Sequence, residues 1–319
     1  MNELKNKILY ILVPCYNEEV VLPKTAPLFL DKLKSLINKF SLSDDSKVVF
    51  ANDGSNDRTY DLIKELCSSD KHIAGISLSK NMGHQNALLA LLTVAYEKSD
   101  FCISIDCDGQ DDVNAMDEML TKYSEGAEIV YGVRKNRDKD SFFKKWTAET
   151  YYKLLQKLGS NTVYNSAEYR FASKKAMEIF FKFSESNLFL RGIFPLIGYK
   201  QDKVYYDREN RVAGNTHYSI RKMLSLALNG ITNLSIEPLR FIFIIGLTFV
   251  LIGVIGSIVS VILNLKVGTG FNINFLVFFL CLLSGIQLMC MGVVAEYVGK
   301  TYIETKHRPK FIISDKVGL

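Results

Sequence analysis

The stretch Phe101–Asp112, FCISIDCDGQDD, carries the clearest signal for the fold. An apolar, β-branched run ends abruptly in four aspartates with a glutamine among them. In open sheets of parallel strands, ligands bind at the carboxyl ends of the strands. Negative charge gathered at the end of a buried strand therefore indicates a binding site at that edge of a sheet.

Further short apolar runs alternate with segments of helical periodicity before and after this stretch. The other runs predicted as strands are Lys7–Val13, Lys47–Asn52, Ile73–Ser79 and Ala127–Val133. Between them, Pro27–Phe40 and Arg58–Leu66 carry apolar residues three and four positions apart. This alternation predicts an α/β fold with a mostly parallel sheet covered by helices on both faces.

Two long segments without charged residues, Phe241–Leu263 and Phe275–Ala295, follow the charged N-terminal part. Each is long enough to cross a bilayer, which takes roughly 20 apolar residues. A pair of helices buried in a large core is the alternative reading. Few basic residues lie between the two segments and several follow the second, so the positive-inside rule places both the tail and the N-terminal domain in the cytoplasm of a multi-pass plasma-membrane protein.

These features predict an order of domains along the chain. Ser219–Leu234 places its apolar residues on one helical face, which favours an interfacial amphipathic helix or, alternatively, a helix packed on the N-terminal domain. The predicted order is a cytoplasmic domain at 1–218, a juxtamembrane helix at 219–240, spans at 241–263 and 275–298, an extracytoplasmic loop at 264–274 and a cytoplasmic tail at 299–319.

Charge and cysteine content exclude some classes of protein. The net charge of +5 is modest, and the basic residues cluster near the predicted spans. This distribution fits a protein held against an anionic membrane leaflet and argues against a nucleic-acid binder. The six cysteines form no CxxC pair, which in a cytoplasmic domain predicts reduced thiols.

The acidic stretch offers oxygen ligands for a hard divalent cation. Asp106, Asp108 and the amide oxygen of Gln110 form a set that suits Mg²⁺ or Mn²⁺. Acidic turns are common in proteins, so this pattern alone leaves a metal site and a solvated turn both open.

Two other polar motifs fall at predicted strand ends. NDGSNDRT, Asn52–Thr59, places an acid in a tight turn that suits a base or ribose, although a plain turn leading into a capped helix has the same pattern. Arg134 and Arg137, with Lys144 and Lys145 beyond, suit a diphosphate or form a solvated basic face.

The motifs VPCYNEE, NDGSNDRT, SKNMGHQNALLA, DCDGQD and YGVR, in this order and spacing, resemble the family 2 glycosyltransferases of GT-A fold. RGIFPLIGY, YDRENRVAGNTHYSIRKM, NGITNLSIEPLR and the tail AEYVGKTYIETKHRPKF are similar to the polyprenyl-phosphate glycosyltransferases within that family, which include bactoprenol glucosyltransferases and dolichol-phosphate mannose synthase. The resemblance covers nearly the whole chain. It implies inverting transfer of one sugar from a nucleotide diphosphate donor to a lipid phosphate on the cytoplasmic face.

The resemblance also implies roles for individual residues. The expected metal ligands are Asp106, Asp108 and Gln110. The residues expected to bind the nucleotide are Pro14, Tyr16, Glu18, Asp53 and Asp106. The residues expected to bind the lipid phosphate are Arg208, Arg211, Thr216, His217 and Ser219.

Three residues are expected to act in the transfer itself. Arg134 and the metal that Asp108 helps to hold would stabilise the leaving diphosphate, while Glu168 is a candidate for orienting the acceptor or the sugar. Arg170 either orders Glu168 or forms a structural salt bridge with it. The sequence departs from the family pattern at Asn52, at Glu168 and at His217, where an acid, an aspartate and a lysine respectively are common.

The expected reaction is transfer of glucose from UDP-glucose to undecaprenyl phosphate, for modification of a cell-envelope glycan. Mannose, galactose, N-acetylhexosamine and an aminoarabinose derivative are alternative sugars. A processive polysaccharide synthase is disfavoured because the chain lacks a QxxRW signature and further spans; a non-enzymatic membrane scaffold is the remaining alternative. A homo-oligomer is also expected, with Arg308–Ile313 offering a strand for exchange.

Overall fold

The computed structural model describes residues 4–135, 165–183, 190–208 and 273–319, together with residues 163, 242, 244, 246, 248 and 255. The chain divides into two compact units. The first comprises Met1–Met223 and Arg308–Leu319, and the second comprises Leu224–His307.

The described part of the first unit is an α/β structure. Its strands are β1 (Leu9–Cys15), β2 (Lys47–Asn52), β3 (Ile73–Leu78), β4 (Phe101–Ser104), β5 (Ile129–Arg134), β6 (Ser166–Ser173), β7 (Gln201–Tyr206) and β8 (Ile313–Val317). Its helices are α1 (Leu22–Phe40), α2 (Thr59–Ser69), α3 (His84–Lys98), α4 (Ala115–Ser124), α5 (Lys174–Phe180) and the single turn α6 (Leu190–Ile193), which a 3₁₀ turn at Phe194–Ile197 continues.

The strands form one sheet in the order β7-β5-β6-β4-β1-β2-β3-β8. The pairs β1 with β2, β1 with β4, β2 with β3, and β5 with β7 are parallel. Strand β6 lies antiparallel between β4 and β5 and therefore leaves those two strands running in the same direction. The carboxyl ends of β1 to β5 and of β7 consequently lie at one edge of the sheet.

Helices cover both faces of this sheet, as the pleat of β1 shows. Leu9, Ile11 and Val13 belong to a core shared with α1 and α4, whereas Tyr10 and Leu12 belong to a core shared with α3 and α5. Successive side chains of a strand point to opposite faces, so a strand that is buried on both faces needs the continuous apolar run that the sequence has here.

The five strands predicted from the sequence are confirmed, and so is the mostly parallel sheet with helices on both faces. Strands β6 and β7 were not predicted, because SAEYRFAS and QDKVYY are polar enough to resemble loops. Every residue of β6 is nevertheless buried. Its buried Glu168 forms ion pairs with Arg191 and Arg170.

The C-terminal tail adds an edge strand to the sheet. Strand β8 begins at Ile313, at the end of the expected stretch 308–313, and pairs antiparallel with β3 of the same chain. Lys47 fixes it by donating to the carbonyl oxygen of Gly318 at 2.8 Å. Exchange of this strand between copies stays a prediction.

The second unit contains a helix, α7, at Ile273–Thr305. Large apolar side chains are exposed along it, among them Leu288, Met289, Met291 and Val298. None of the helices that the described residues form is both long and apolar enough to cross a membrane. The expected span at 241–263 lies almost wholly outside the described residues, and the two-span topology stays a prediction.

Candidate active site

The candidate active site lies at the edge of the sheet where the parallel strands end. The backbone N–H of Ile105 donates to Leu12 O and that of Asp53 donates to Cys15 O, so the loops after β4, β1 and β2 stay in register just beyond the strands. The polar motifs predicted to converge at one edge therefore do converge.

Asp53 is buried and ties the turn after β2 to the start of α3. Its two carboxylate oxygens accept hydrogen bonds from the backbone N–H groups of Met82, at 2.7 Å, and Gly83, at 2.9 Å. Burial raises the pKa of Asp53, and these two hydrogen bonds offset part of that rise. Gly54 has a φ of 62°, and a Cβ there would lie 2.4 Å from Asn81 N. Asp53 thus orders this edge, and its contact with a nucleotide stays a prediction.

The segment after β1 is locked to the same turn. Asn17 donates its N–H to Ser55 Oγ at 3.0 Å, and its side-chain oxygen accepts the N–H of Asn56 at 2.9 Å. Glu18 donates its N–H to Thr59 Oγ1 at 2.8 Å.

Two residues of this segment were expected to hold a nucleotide and have very different exposure. Pro14 is buried within β1, where it pairs with Ala51. Tyr16, 43% exposed, presents its ring to solvent. Tyr16 is therefore the more accessible of the two, and contact of either residue with a nucleotide stays a prediction.

The carboxylates after β4 crowd together. Burial raises the pKa of Asp106, His84 lowers it, and the negative charges of Asp111, Asp108 and Glu168 raise it further. His84 Nε2 lies 3.6 Å from Asp106 Oδ1. Such crowding of carboxylates around one group is what a divalent cation relieves.

The loop itself is shaped by Gly109, whose φ is 68°, and by the N–H of Gln110, which donates to Asp108 Oδ1 at 3.1 Å. The amide oxygen of Gln110 accepts a hydrogen bond from Arg208. Oxygen ligands of the type that Mg²⁺ and Mn²⁺ prefer are thus present. Among the residues that the structure describes, no group of three or more His, Cys, Asp or Glu side chains is arranged to hold a metal ion.

Arg134, the last residue of β5, is paired within the protein. Its Nη2 lies 3.2 Å from Asp111 Oδ1, and its Nε donates to the hydroxyl of Tyr206 at 3.4 Å. Burial alone would lower the pKa of Arg134, but Asp111, Tyr206 and Asp106 raise it above the ordinary value of arginine. Arg134 therefore stays a cation next to the acidic loop.

Glu168 is the centre of a second buried cluster. Arg191 Nε lies 2.7 Å from Glu168 Oε1, Gln85 Nε2 donates to the same oxygen at 3.1 Å, and Arg170 Nη2 lies 3.6 Å from Oε2. Burial would raise the pKa of Glu168, but Arg191 and Arg170 lower it to about 2. A carboxylate with so low a pKa is a weak base, and the expected orienting role of Glu168 stays a prediction.

Arg170 is a second partner of Glu168 rather than its principal one. Its guanidinium lies 4.2 Å from the centre of the Phe194 ring, a cation–π contact in the interior. Arg191 makes the shorter contact with Glu168.

The sequence signals missed five residues that build these two clusters. Those residues are His84, Gln85, Asp111, Arg191 and Tyr206. Each belongs to a quoted motif or lies beside one, but its partner is distant along the chain. Of the residues expected to bind the lipid phosphate, Arg208 is described, whereas Arg211, Thr216, His217 and Ser219 lie outside the described residues.

Comparison with known proteins adds evidence that is independent of the geometry. Residues 10–192 match the model of the family described as Glycosyl transferase family 2. The chain is 43% identical, over 96% of its length and 91% of the relative's, to a Bacillus subtilis protein named uncharacterized glycosyltransferase YkoT.

Two further relatives have more specific names. The chain is 36% identical to the prophage bactoprenol glucosyl transferase homolog of Escherichia coli, over 95% of this chain and 97% of that protein. It is 35% identical to the bactoprenol glucosyl transferase of Shigella phage SfV, over 96% of this chain and 98% of that protein.

Proposed function

This chain belongs to glycosyl transferase family 2 and is a glycosyltransferase, and on that premise we propose that it transfers one sugar from a nucleotide diphosphate to a polyprenyl phosphate at the membrane. The observation that supports this proposal best is that the acidic loop and the cations Arg134 and Arg208 meet at one edge of the sheet. The proposed donor is UDP-glucose, and the proposed acceptor is undecaprenyl phosphate. The sugar would then serve a cell-envelope glycan.

The donor would lie over the loops after β1, β2 and β4. Tyr16 is exposed for stacking on a base, and Glu18 and Asp53 would complete the nucleotide pocket. Asp106, Asp108 and Gln110 would hold Mg²⁺ or Mn²⁺, which supplies positive charge for the departing diphosphate.

Arg134 supports the same step from the end of β5. It is a fixed cation beside the acidic loop, and a guanidinium pairs well with phosphate oxygens. It would stabilise the charge that the leaving diphosphate gains as the anomeric bond breaks.

The acceptor requires positioning rather than deprotonation. A lipid phosphate is already an anion at neutral pH, so its oxygen can attack the anomeric carbon without a general base. The low pKa of Glu168 agrees with this, because a carboxylate with a pKa of about 2 is a weak base. Arg208 would contact the acceptor phosphate, and His217 and its neighbours would complete that contact.

The membrane location follows from the acceptor and from the sequence. The segments 241–263 and 275–298 would span the bilayer, with the N-terminal domain and the tail on the cytoplasmic side. The exposed apolar side chains of α7 support a lipid environment for that helix.

The test is a transfer assay on membranes that contain undecaprenyl phosphate and the full-length protein. Radiolabelled UDP-glucose is compared with other nucleotide sugars, and label is counted in the lipid fraction. Transfer from UDP-glucose supports the proposal, whereas transfer from another donor alone replaces the sugar and keeps the reaction class. Absence of transfer from every donor would contradict the proposed function.

A pair of matched variants locates the site within the acidic loop. Asp108→Ala removes an expected metal ligand and should abolish transfer while the protein stays folded. Asp112→Asn is the control, because it also removes one negative charge from this loop. The side-chain oxygen of the new asparagine can still accept the hydrogen bond that Asn114 N donates to Asp112 Oδ1 at 2.9 Å. Wild-type turnover of Asp108→Ala would show that the site lies elsewhere.

A further inference from the structure

Arg134 and Tyr206 end two neighbouring parallel strands, and the register pairs them directly. The Tyr206 hydroxyl donates to Asp111 Oδ1 at 2.6 Å and accepts from Arg134 Nε at 3.4 Å. Arg134 Nη2 donates to the same Asp111 oxygen at 3.2 Å. The three side chains therefore form a closed triangle at the edge of the candidate active site.

The triangle restricts the guanidinium of Arg134. An arginine side chain has many rotamers, and fixing one of them before a ligand arrives reduces the entropy that binding costs. Two of its nitrogens, Nε and Nη2, contact groups that are themselves immobile, since Asp111 and Tyr206 are buried. The arginine itself is 22% exposed, so it is held in place and still reaches solvent.

A purely structural link between β5 and β7 would not need this arrangement. Those strands are already bridged near their other ends by Tyr131, whose hydroxyl donates to Gln201 Oε1 at 2.9 Å. Asp111, in contrast, keeps its Oδ2 buried without a hydrogen-bond partner among the described residues. A buried carboxylate oxygen without a hydrogen-bond partner lowers the stability of the fold, and such an oxygen in a native structure calls for an explanation such as a functional role.

We propose that Tyr206 and Asp111 are positioning residues that hold the guanidinium of Arg134 towards the diphosphate of the nucleotide sugar. This inference rests on the proposed function, because it needs a nucleotide diphosphate as the ligand. Tyr206 and Asp111 act through Arg134 and contact no reacting atom.

The test compares Tyr206→Phe with Tyr131→Phe in the full-length, detergent-solubilised protein. Both changes remove one buried hydroxyl that bridges β5 and β7, and only the first hydroxyl contacts Arg134. UDP with Mn²⁺ is titrated by calorimetry, and uridine, which lacks phosphates, is titrated by NMR. Tyr206→Phe should weaken UDP binding about tenfold, the equivalent of about 1.4 kcal/mol, and leave uridine binding unchanged. Tyr131→Phe should leave the affinity for UDP unchanged.

A double variant separates positioning from general stability. If Tyr206 acts through the guanidinium, then Tyr206→Phe should weaken UDP binding far less in an Arg134→Lys background, because lysine lacks the fork that the hydroxyl orients. Additive losses would overturn the proposal. Should Tyr206→Phe fail to fold, Asp111→Asn carries the same test with the same expected loss of UDP affinity.

The remaining outcomes are also decisive. Wild-type UDP affinity in Tyr206→Phe, or an equal loss for UDP and uridine, would overturn the positioning role while leaving the proposed function intact. Failure of the wild-type protein itself to bind UDP, GDP or another nucleoside diphosphate would contradict the proposed function and this inference with it.

Discussion

Replacing Glu168 by glutamine removes a buried negative charge that faces Arg170 and Arg191. Glu168 has 2% of its surface exposed, and its pKa lies at about 2 against an ordinary value of 4.5. At about 1.36 kcal/mol per pKa unit, this preference for the ionised form is worth about 3 kcal/mol. Breaking a buried pair by removing one partner costs about 3–5 kcal/mol. We therefore expect Glu168→Gln to lower the free energy of unfolding by about 3 kcal/mol at pH 7.

The sign of the pH dependence follows from the lowered pKa. A carboxyl group whose pKa is lower in the folded state stabilises the fold fully above its unfolded value of about 4.5. That stabilisation is lost as the pH falls from about 4.5 towards 2. The difference between wild type and Glu168→Gln should therefore be constant from pH 7 to about 5 and shrink below pH 4.5.

The assay is urea unfolding of the full-length protein in detergent, followed by labelling of its buried thiols. Cys15 and Cys102 are buried in the sheet and should react with a thiol reagent only after unfolding. Glu178→Gln is the control, since Glu178 and Lys182 form an exposed pair at 3.4 Å, and surface pairs are worth about 0–1 kcal/mol. Equal stability of Glu168→Gln and wild type at pH 7, or a difference that grows below pH 4.5, would refute this reasoning.

Three further predictions concern the turn after β2, the metal and the topology. Gly54→Ala should destabilise the fold by about 1–3 kcal/mol more than Gly198→Ala in thermal unfolding, because both residues have positive φ but a Cβ at Gly198 comes no nearer than 3.9 Å to another atom, whereas one at Gly54 meets the backbone at 2.4 Å. EDTA should abolish sugar transfer and added Mn²⁺ or Mg²⁺ should restore it, and full activity in EDTA would exclude the expected metal role. A cysteine introduced at 266–271 should react with an impermeant thiol reagent added outside intact cells, and protection there would reverse the expected orientation.

The sequence predicted the central strands because their signal is local. A strand buried on both faces must be mostly apolar, and each of the five runs meets that condition within six or seven residues. It also predicted that polar motifs converge at one edge, since parallel strands end together. Strand β6 was not predicted because Glu168 and Arg170 give it a polar sequence, although both side chains are buried.

The partners of the site residues could not be predicted because they are contacts between distant segments. Arg134 was expected to be available for a phosphate, yet its position depends on Asp111 and on Tyr206, 72 residues further along. Glu168 was considered with its neighbour Arg170, whereas its nearest cation is Arg191. The spacing of motifs along the sequence predicts which residues lie at the same edge of the sheet. Which of those residues contact each other depends on the folded structure.

The distribution of unsatisfied polar atoms supports the location of the site independently of any motif. Over the described residues, five buried side-chain atoms lack a hydrogen-bond partner: four belong to Asp111, Glu168 and Arg170, and one to Tyr60. Glu168 Oε2 and Arg170 Nη2 face each other as an ion pair at 3.6 Å, so over the described residues the full cost of about 1–3 kcal/mol per unpartnered atom falls on Asp111 Oδ2 and Arg170 Nε. Asp111 lies in the loop after β4, and Glu168 faces the same loop from β6. Asp111 therefore keeps an uncompensated carboxylate oxygen in the loop that is expected to bind the metal, and a cation bound in that loop would offset its charge.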